Sequence, residues 1–283
     1  MKTPRVLAIH DISGVGRCSL TVALPVLSAA GIECSVLPTA VLSTHTGEFK
    51  DYTFRDLTED ILPIVKHWKS LDLQFDAIYT GYLGSFEQVE LIKEVIELLA
   101  GEDTLVVVDP VMADEGKLYP GFTQDYPLQM KSLCARADVL LPNLTEAALL
   151  LDCEYNPNPD TTELKNLLAR LHAELGAKST VLTGVSLEED SLGAIARDSE
   201  AGPSVYVGAA RVEGMYHGSG DLFGGALVAG LVRGCTLEEA TKRAVNFTSE
   251  SIERTRQAKT ETRFGLLFEA GLARFATQFN ALY

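Results

Sequence analysis

Short apolar runs alternate with amphipathic stretches from residue 6 to residue 182. The apolar runs are rich in β-branched and aromatic residues and predict buried strands at residues 6–9, 35–37, 77–80, 105–108, 139–141 and 180–182. The stretches between them carry apolar residues at helical spacing and predict helices at residues 20–30, 60–70, 86–99, 145–151 and 163–175. Such an alternation predicts a mostly parallel sheet covered by helices on both faces.

Two of the predicted helices begin with a pattern typical of a capping box. Ser85 is followed by Gln88, and Asp160 is followed by Glu163. In a capping box the first side chain accepts a hydrogen bond from the backbone of the fourth residue, and the fourth side chain accepts one from the backbone of the first.

The pattern changes after Thr183. Two short strands are predicted at residues 192–196 and 204–207, followed by two long helices at residues 220–233 and 237–254. We interpret this change as an antiparallel edge on the same sheet. The most linker-like segment, residues 154–160, holds two prolines and two asparagines but is too short to separate domains. The sequence therefore predicts a single domain over residues 1–283.

Composition and charge limit the possible functions. The 283 residues are 46% hydrophobic and 22% charged, which is typical of a globular protein with a large core. Lys and Arg total 24 against 39 Asp and Glu, so the net charge is -15. This balance opposes a broad binding surface for nucleic acid or for an anionic membrane. Any bound phosphate must therefore be held locally.

Cysteine spacing and hydropathy indicate the compartment. The five cysteines are scattered and lack CxxC spacing, which favours reduced thiols over a disulfide framework or a zinc site. The N-terminal apolar run is too short for a signal peptide, and no stretch reaches the roughly 18 apolar residues needed to span a bilayer. We therefore expect a cytoplasmic protein.

A glycine-rich turn precedes the predicted helix at residues 220–233. It reads His217-Gly218-Ser219-Gly220-Asp221 and is followed by small residues. Free backbone N–H groups and the positive end of a helix dipole converge at such a turn, so it predicts an anion hole. A carboxylate there can take a proton from an attacking hydroxyl while the amides stabilise a phosphoryl group. The alternative is that Asp221 is a helix-capping residue.

Other nucleotide-binding patterns are missing from the sequence. There is no GxxxxGK[ST] segment, and residues 14–19 lack the third glycine of the dinucleotide fingerprint. A P-loop or Rossmann assignment is therefore poorly supported.

Polar residues follow three predicted strands, at the edge where open α/β sheets bind ligands. Asp109 comes directly after the strand at 105–108, and Glu146 follows the strand at 139–141. Their oxygens suit a hydrated Mg²⁺ that binds mainly through ATP phosphates. A turn acid before proline and a first-turn helix acid are the structural alternatives. Tyr82 lies in a glycine-flanked turn after the strand at 77–80, where it contacts a ligand or packs at the rim.

Five segments in this order and spacing resemble the pyridoxal kinase branch of the ribokinase-like kinases. They are residues 43–47 (STHTG), 80–85 (TGYLGS), 109–112 (DPVM), 142–146 (PNLTE) and 218–221 (GSGD). The resemblance runs from about Val6 to about Arg254. It implies a three-layer α/β fold with a mostly parallel sheet and an antiparallel edge.

The resemblance also implies the reaction and its requirements. The activity is ATP-dependent phosphorylation of the 5′-hydroxymethyl group of pyridoxal, pyridoxamine or pyridoxine. Asp221 is implied as the catalytic base, with Gly218, Ser219 and Gly220 as the anion hole. Mg²⁺ is implied near Asp109 and Glu146, a homodimer is expected, and a monovalent cation requirement is left open.

Binding residues follow from the resemblance position by position. The implied ATP-binding residues are Asp109, Tyr119, Asn143, Glu146, Thr183 and Gly184. The implied substrate-binding residues are Asp11, His45, Thr46 and Tyr82.

Three positions depart from the family pattern. Asp11 stands where many relatives have serine, Ala113 where glycine is usual, and Ser219 where threonine or valine is common. Asp11 bears on the preferred vitamer, since a carboxylate in a dehydrated pocket needs a partner. It faces a cation on the substrate, pairs with Arg17, or caps a helix.

Two other functions remain open at this point. Hydroxymethylpyrimidine kinase of thiamin synthesis shares the fold, the base and an aromatic acceptor, but Tyr82 and the segment 43–46 favour the pyridoxal side. A catalytically silent vitamin- or nucleotide-binding protein would need no base aimed at an anion hole, so the intact Asp221 argues against it.

Overall fold

The computed structural model describes residues 3–199 and 202–279. Its central sheet has the strand order β11-β10-β9-β8-β5-β4-β1-β2-β3. The strands are β1 (Arg5–Val15), β2 (Glu33–Thr44), β3 (Phe54–Asp56), β4 (Ala77–Thr80), β5 (Leu105–Val108), β8 (Val139–Leu140), β9 (Ser179–Val185), β10 (Ser191–Asp198) and β11 (Ser204–Ala210). A separate hairpin contains β6 (Ala113–Asp114) and β7 (Lys117–Leu118).

The helices connect these strands and cover both sides of the sheet. They are α1 (Leu20–Ala29), α2 (Thr58–Ser70), α3 (Phe86–Leu99), α4 (Tyr126–Cys134), α5 (Leu144–Leu150), α6 (Thr161–Leu175), α7 (Ser219–Val232), α8 (Leu237–Ala258) and α9 (Leu272–Thr277). None of the helices in the described ranges is long and apolar enough to cross a membrane.

Alternate residues of the strands serve two separate cores, which confirms the three-layer α/β prediction. On β1, Leu7 and Ile9 pack into the core beneath α2 to α6, whereas Val6 and Ala8 pack into the core beneath α1, α7, α8 and α9. Both faces of the parallel strands are buried, and this is why they appear in the sequence as continuous apolar runs.

The strands β9, β8, β5, β4, β1 and β2 are mutually parallel, so their carboxyl ends lie at one edge of the sheet. The predicted antiparallel edge is confirmed as β10 and β11. A second antiparallel strand, β3, lies at the other edge and was not predicted. Its three residues are all exposed, so they leave no hydrophobic pattern.

β1 and β2 extend well beyond their predicted apolar segments. His10 pairs with Pro38 and Ile12 pairs with Val41, so two residues of β2 span the position opposite Asp11. The extension contains polar residues and glycines, which are not typical of a buried strand. The extension of β1 and β2 continues past the carboxyl ends of the neighbouring strands.

Only one of the two predicted capping boxes is complete. Asp160 and Glu163 make both reciprocal hydrogen bonds. Ser85 Oγ accepts from the Gln88 backbone at 3.2 Å, but Gln88 Oε1 accepts from the Gly84 N–H at 2.8 Å instead of from Ser85. Gln88 Nε2 donates to the Thr39 carbonyl at 3.0 Å. This contact with β2 explains why the Gln88 side chain does not accept from the Ser85 backbone.

We predict that Thr236→Ala destabilises the fold through the start of α8. Thr236 Oγ1 accepts from the Glu239 N–H at 3.3 Å, and Glu239 Oε2 accepts from the Thr236 N–H at 3.0 Å. Loss of such a cap costs about 0.5–2 kcal/mol. Calorimetry should show a lower Tm for Thr236→Ala, and Thr236→Ser, which keeps the hydroxyl, is the matched control. Equal Tm values for Thr236→Ala and the wild type would contradict this.

Candidate active site

The glycine-rich turn, predicted from the sequence to form an anion hole, leads directly into the first turn of α7. Gly218 is the N-cap of α7, with φ 74° and ψ 6°, and no side chain caps this helix. The Leu222 N–H donates to the Gly218 carbonyl at 3.0 Å. The earlier amides of the helix therefore have no intrahelical acceptor and are available to an anion.

Asp221 lies in the first turn of α7, so the capping interpretation of this residue is wrong. Its side chain keeps 16% of its surface exposed, and it accepts a hydrogen bond from the Ser19 backbone N–H. Burial raises the pKa of Asp221 to about 7, against the lowering effect of the Ser19 hydrogen bond, and the charge of Asp11 adds to the rise. A carboxyl with a pKa near neutrality can both accept and release a proton at physiological pH.

The glycines around Asp221 serve different purposes. A Cβ on Gly218 would lie 1.9 Å from the Arg17 carbonyl oxygen, so this glycine allows close backbone packing. A Cβ on Gly220 would meet nothing within 4 Å, so Gly220 faces open space. A Cβ on Gly224 would lie 2.1 Å from the Tyr79 hydroxyl, which confirms that a small residue there lets α7 approach the sheet.

Asp109 and Glu146 lie near Asp221 at the ends of β5 and β8. Asp109 is 8% exposed, and its pKa is raised by burial, then by the charges of Glu146 and Asp221. The Glu146 carboxylate accepts from the Met112 N–H at 3.0 Å and from the Asn143 N–H at 2.9 Å. Glu146 therefore fastens the segment after β5 to the start of α5, in addition to any contact with a ligand.

The other nucleotide candidates lie beside this carboxylate pair. Asn143 bridges to Thr183 across the ends of β8 and β9, and Asn143 Nδ2 donates to the Ala113 carbonyl at 2.7 Å. Gly184 follows with φ 72° and has nothing within 4 Å of a Cβ. Tyr119 follows the β6–β7 hairpin, and burial followed by the charge of Glu146 raises its pKa.

Asp11 is held by hydroxyl groups and not by Arg17. Its carboxylate accepts from Ser19 Oγ at 2.5 Å and from Ser13 Oγ at 3.0 Å. Arg17 instead pairs with Glu269. Since Asp11 lies within β1, it caps no helix, so both structural alternatives for Asp11 are wrong. Burial raises its pKa, while the Ser19 and Ser13 hydroxyls lower it.

The remaining substrate candidates lie around Asp11 and the loop after β2. The Tyr82 ring packs 5.6 Å from that of Phe122, and burial raises the pKa of Tyr82 to about 12, with Asp11 contributing. His45 Nε2 lies 2.6 Å from the Arg263 carbonyl, and its Nδ1 accepts from the Gly47 N–H at 3.1 Å. His45 thereby fixes the loop that carries Thr46, which is exposed.

The residues at this edge fit a hydrated Mg²⁺. Among residues 3–199 and 202–279, no three His, Cys, Asp or Glu side chains are grouped so that they could hold a metal ion by themselves. Asp109 and Glu146 offer oxygen ligands in a cluster of buried carboxylates, where a cation would offset their mutual repulsion. An ion here would take its other ligands from phosphate and water.

Two features of the structure were missed in the sequence. His10 ends the first apolar run and lies fully buried, with Nδ1 4.0 Å from Asp221 Oδ1. A cavity of about 480 Å³ lies between the end of β11 and the second half of α8, and its lining includes Val212, Ser249 and Gln257. A histidine within an apolar run looks like a core residue, and only the tertiary fold creates the cavity.

Comparisons with known proteins agree with the resemblance. Residues 24–265 match the phosphomethylpyrimidine kinase family. A Bacteroides thetaiotaomicron structure with pyridoxal, provisionally named a phosphomethylpyrimidine kinase, is 37% identical, with TM-score 0.92 over 97% of this chain and 96% of its own. Pyridoxal kinase from Lactobacillus plantarum is 36% identical, with TM-score 0.89 over 98% of each chain. Pyridoxine/pyridoxal/pyridoxamine kinase from Bordetella avium is 27% identical over 89% of this chain and 86% of its own.

The two glycines of the anion hole should respond differently to substitution. Gly220→Val adds a side chain in open space in the first turn of α7, so we expect kcat to fall by about 10²-fold with Tm unchanged. Gly218→Val needs a positive φ and meets the Arg17 carbonyl, so both Tm and kcat should fall. Steady-state kinetics and calorimetry on the two variants test this. A Gly220→Val protein with wild-type kcat would remove that glycine from the phosphoryl site.

Proposed function

The chain belongs to the phosphomethylpyrimidine kinase family and, within it, to the pyridoxal kinases of the ribokinase-like superfamily, and we propose that it transfers the γ-phosphoryl group of ATP to the 5′-hydroxymethyl group of a B6 vitamer. The observation that carries this proposal is the Asp221 carboxyl, whose pKa is raised to about 7 beside the free amides of α7. A base and an anion hole side by side are what phosphorylation of an alcohol requires.

In the proposed reaction Asp221 accepts the proton of the vitamer hydroxyl. The hydroxyl oxygen forms a bond to the γ-phosphorus while the bond from that phosphorus to the bridging oxygen breaks, and ADP leaves. The first amides of α7 donate hydrogen bonds to the transferring group, whose charge is spread over its oxygens. The chain acts mainly by holding the two reacting oxygens in line.

We assign the nucleotide to the β8–β9–β11 side of the edge. Asn143, Thr183 and Gly184 lie where the triphosphate would pass, and the open cavity beside β11 is large enough for part of the nucleoside. β11 runs parallel to β9 because each is antiparallel to β10, so this cavity opens at the same edge as the anion hole. Mg²⁺ would supply charge neutralisation at the phosphates, with Asp109 and Glu146 holding its waters.

We assign the vitamer ring to the β1–β2–β4 side. Tyr82 and the loop holding His45 and Thr46 supply its walls. Asp11 supplies a carboxylate whose protein partners are neutral hydroxyls, so its charge is free to interact with a cationic group of the substrate.

Hydroxymethylpyrimidine is the second candidate acceptor, since residues 24–265 match the phosphomethylpyrimidine kinase family. Both acceptors present a hydroxymethyl group on a six-membered aromatic ring. A steady-state assay with ATP and Mg²⁺ against pyridoxal, pyridoxamine, pyridoxine and hydroxymethylpyrimidine decides between them. Turnover of hydroxymethylpyrimidine alone would overturn the vitamer assignment, and no turnover of any acceptor would overturn the kinase assignment.

We further propose a cytoplasmic homodimer. All five cysteines are free, as expected in a reducing compartment. Val41 and Phe54 are 41% and 46% exposed along the β2–β3 edge, and exposed apolar side chains of this kind mark interaction surfaces. Static light scattering measures the oligomeric state directly.

Asp221→Asn should abolish most turnover without abolishing ATP binding. Loss of a general base costs about 10²- to 10⁴-fold in kcat. In the wild type, kcat/KM should fall as the pH drops below about 7, because protonated Asp221 cannot accept the hydroxyl proton. Initial rates across pH and calorimetric titration with ATP provide the measurements.

Asp103→Asn, a change to an exposed aspartate in a loop, is the matched control and should keep both the rate and its pH dependence. Near wild-type turnover by Asp221→Asn would show that another group accepts the proton.

Asp11→Asn and Asp11→Ser should both reduce the preference for pyridoxamine over pyridoxal. Pyridoxamine carries an aminomethyl cation that pyridoxal lacks, and a hydrogen bond between charged groups is worth about 1.5–3 kcal/mol, or roughly ten- to a hundredfold in binding. The ratio of kcat/KM values for the two vitamers should narrow while the KM for ATP stays the same. If the ratio stays fixed in both variants, Asp11 does not set the preference.

A further inference from the structure

His10 occupies the space between the ends of β1 and β4. Its ring is fully buried, and a Cβ on Gly81 would lie 2.1 Å from its Nδ1 atom. It packs edge-on against Tyr79, with ring centroids 4.5 Å apart. The imidazole of His10 therefore explains why glycine follows β4, since any larger residue would displace the ring.

The polar atoms of His10 are left without partners at this location. Neither ring nitrogen has a hydrogen-bond partner within the part of the chain that the structure describes. A buried polar group without a partner destabilises the folded state. An aliphatic residue would continue the run of residues 6–9 at no such cost, so packing alone does not account for an imidazole here.

The proposed catalytic base lies close to the His10 ring. His10 Nδ1 lies 4.0 Å from Asp221 Oδ1, about 1 Å beyond hydrogen-bond length. Burial lowers the pKa of His10 to about 3, so the ring is neutral and has one N–H to donate. Contacts of catalytic groups are often long in the free enzyme and shorten when substrate binds.

We propose that His10 is a positioning residue that donates its Nδ1–H to one carboxylate oxygen of Asp221 during turnover. The Ser19 N–H holds the same carboxylate from the side of α1. Two fixed donors orient the carboxylate so that an oxygen points to the acceptor hydroxyl. A neutral donor does this without adding a positive charge that would weaken the base. This inference rests on the proposed function.

His10→Leu and His10→Gln test the proposal. Leucine fills the space without a donor, whereas glutamine retains an N–H that can reach Asp221. We expect His10→Leu to lower kcat about ten- to a hundredfold, in line with loss of a hydrogen bond to a charged group, with both KM values within about twofold of wild type. His10→Gln should keep kcat within about threefold of wild type.

Thr180→Val is the matched control. Thr180 Oγ1 is also a buried polar atom without a partner, but it lies at the opposite end of the sheet, near the start of β9. Its removal should leave kcat unchanged. Calorimetry on all variants distinguishes a loss of folding stability from a misoriented Asp221 carboxylate in a folded protein.

The double variant His10→Leu with Asp221→Asn gives an independent readout. If His10 acts through Asp221, the double variant should be no slower than Asp221→Asn alone, because residues that act as a unit are not additive. A further loss in the double variant, a wild-type kcat for His10→Leu, or an equal fall of kcat and Tm in both His10 variants would overturn the proposal. A different result would contradict the proposed function itself: the Asp221→Asn variant alone would then keep its turnover.

Discussion

Four buried or partly buried carboxylates, gathered at one edge of a parallel sheet, set the conditions for the whole site. They are Asp11, Asp109, Glu146 and Asp221, and burial is the main cause of the raised pKa of each. An ionised carboxylate costs several kcal/mol in such surroundings unless donors or cations compensate it. The protein must therefore supply hydrogen bonds at this edge, and the loops around it are arranged to do so.

The four carboxylates differ in the hydrogen bonds that they accept, and this difference distinguishes their surroundings. Glu146 receives backbone N–H groups on both oxygens, so it is well satisfied and holds two loops together. Asp109 receives only a long hydrogen bond, 3.4 Å from the Val111 N–H. Asp221 receives the Ser19 N–H and stays partly open to solvent. Negative charge is therefore least compensated on Asp109 and Asp221.

The parallel strands could be predicted from the sequence because both of their faces are buried, whereas the largely buried helix α4 was not predicted. Each apolar run that was predicted to be a strand overlaps a strand of the structure. The glycine-rich turn also correctly predicted that Asp221 lies at the start of a helix, α7. The polar second halves of β1 and β2 escaped prediction because strand pairing, not hydrophobicity, holds them in the sheet. The long-range partner of Arg17 could not be predicted either, since Glu269 lies far away in the sequence.

That partner matters because Arg17 joins three parts of the chain around the turn before α7. Its carbonyl lies against Gly218, its N–H donates to the Phe264 carbonyl at 3.1 Å, and its guanidinium pairs with Glu269. The C-terminal segment thereby holds the loop between β1 and α1, and this loop supports the turn before α7. Arg17 therefore supports the turn before α7 and does not pair with the Asp11 carboxylate. The same ion pair that ties the C-terminal segment to the loop after β1 leaves the Ser13 and Ser19 hydroxyls as the side-chain partners of Asp11.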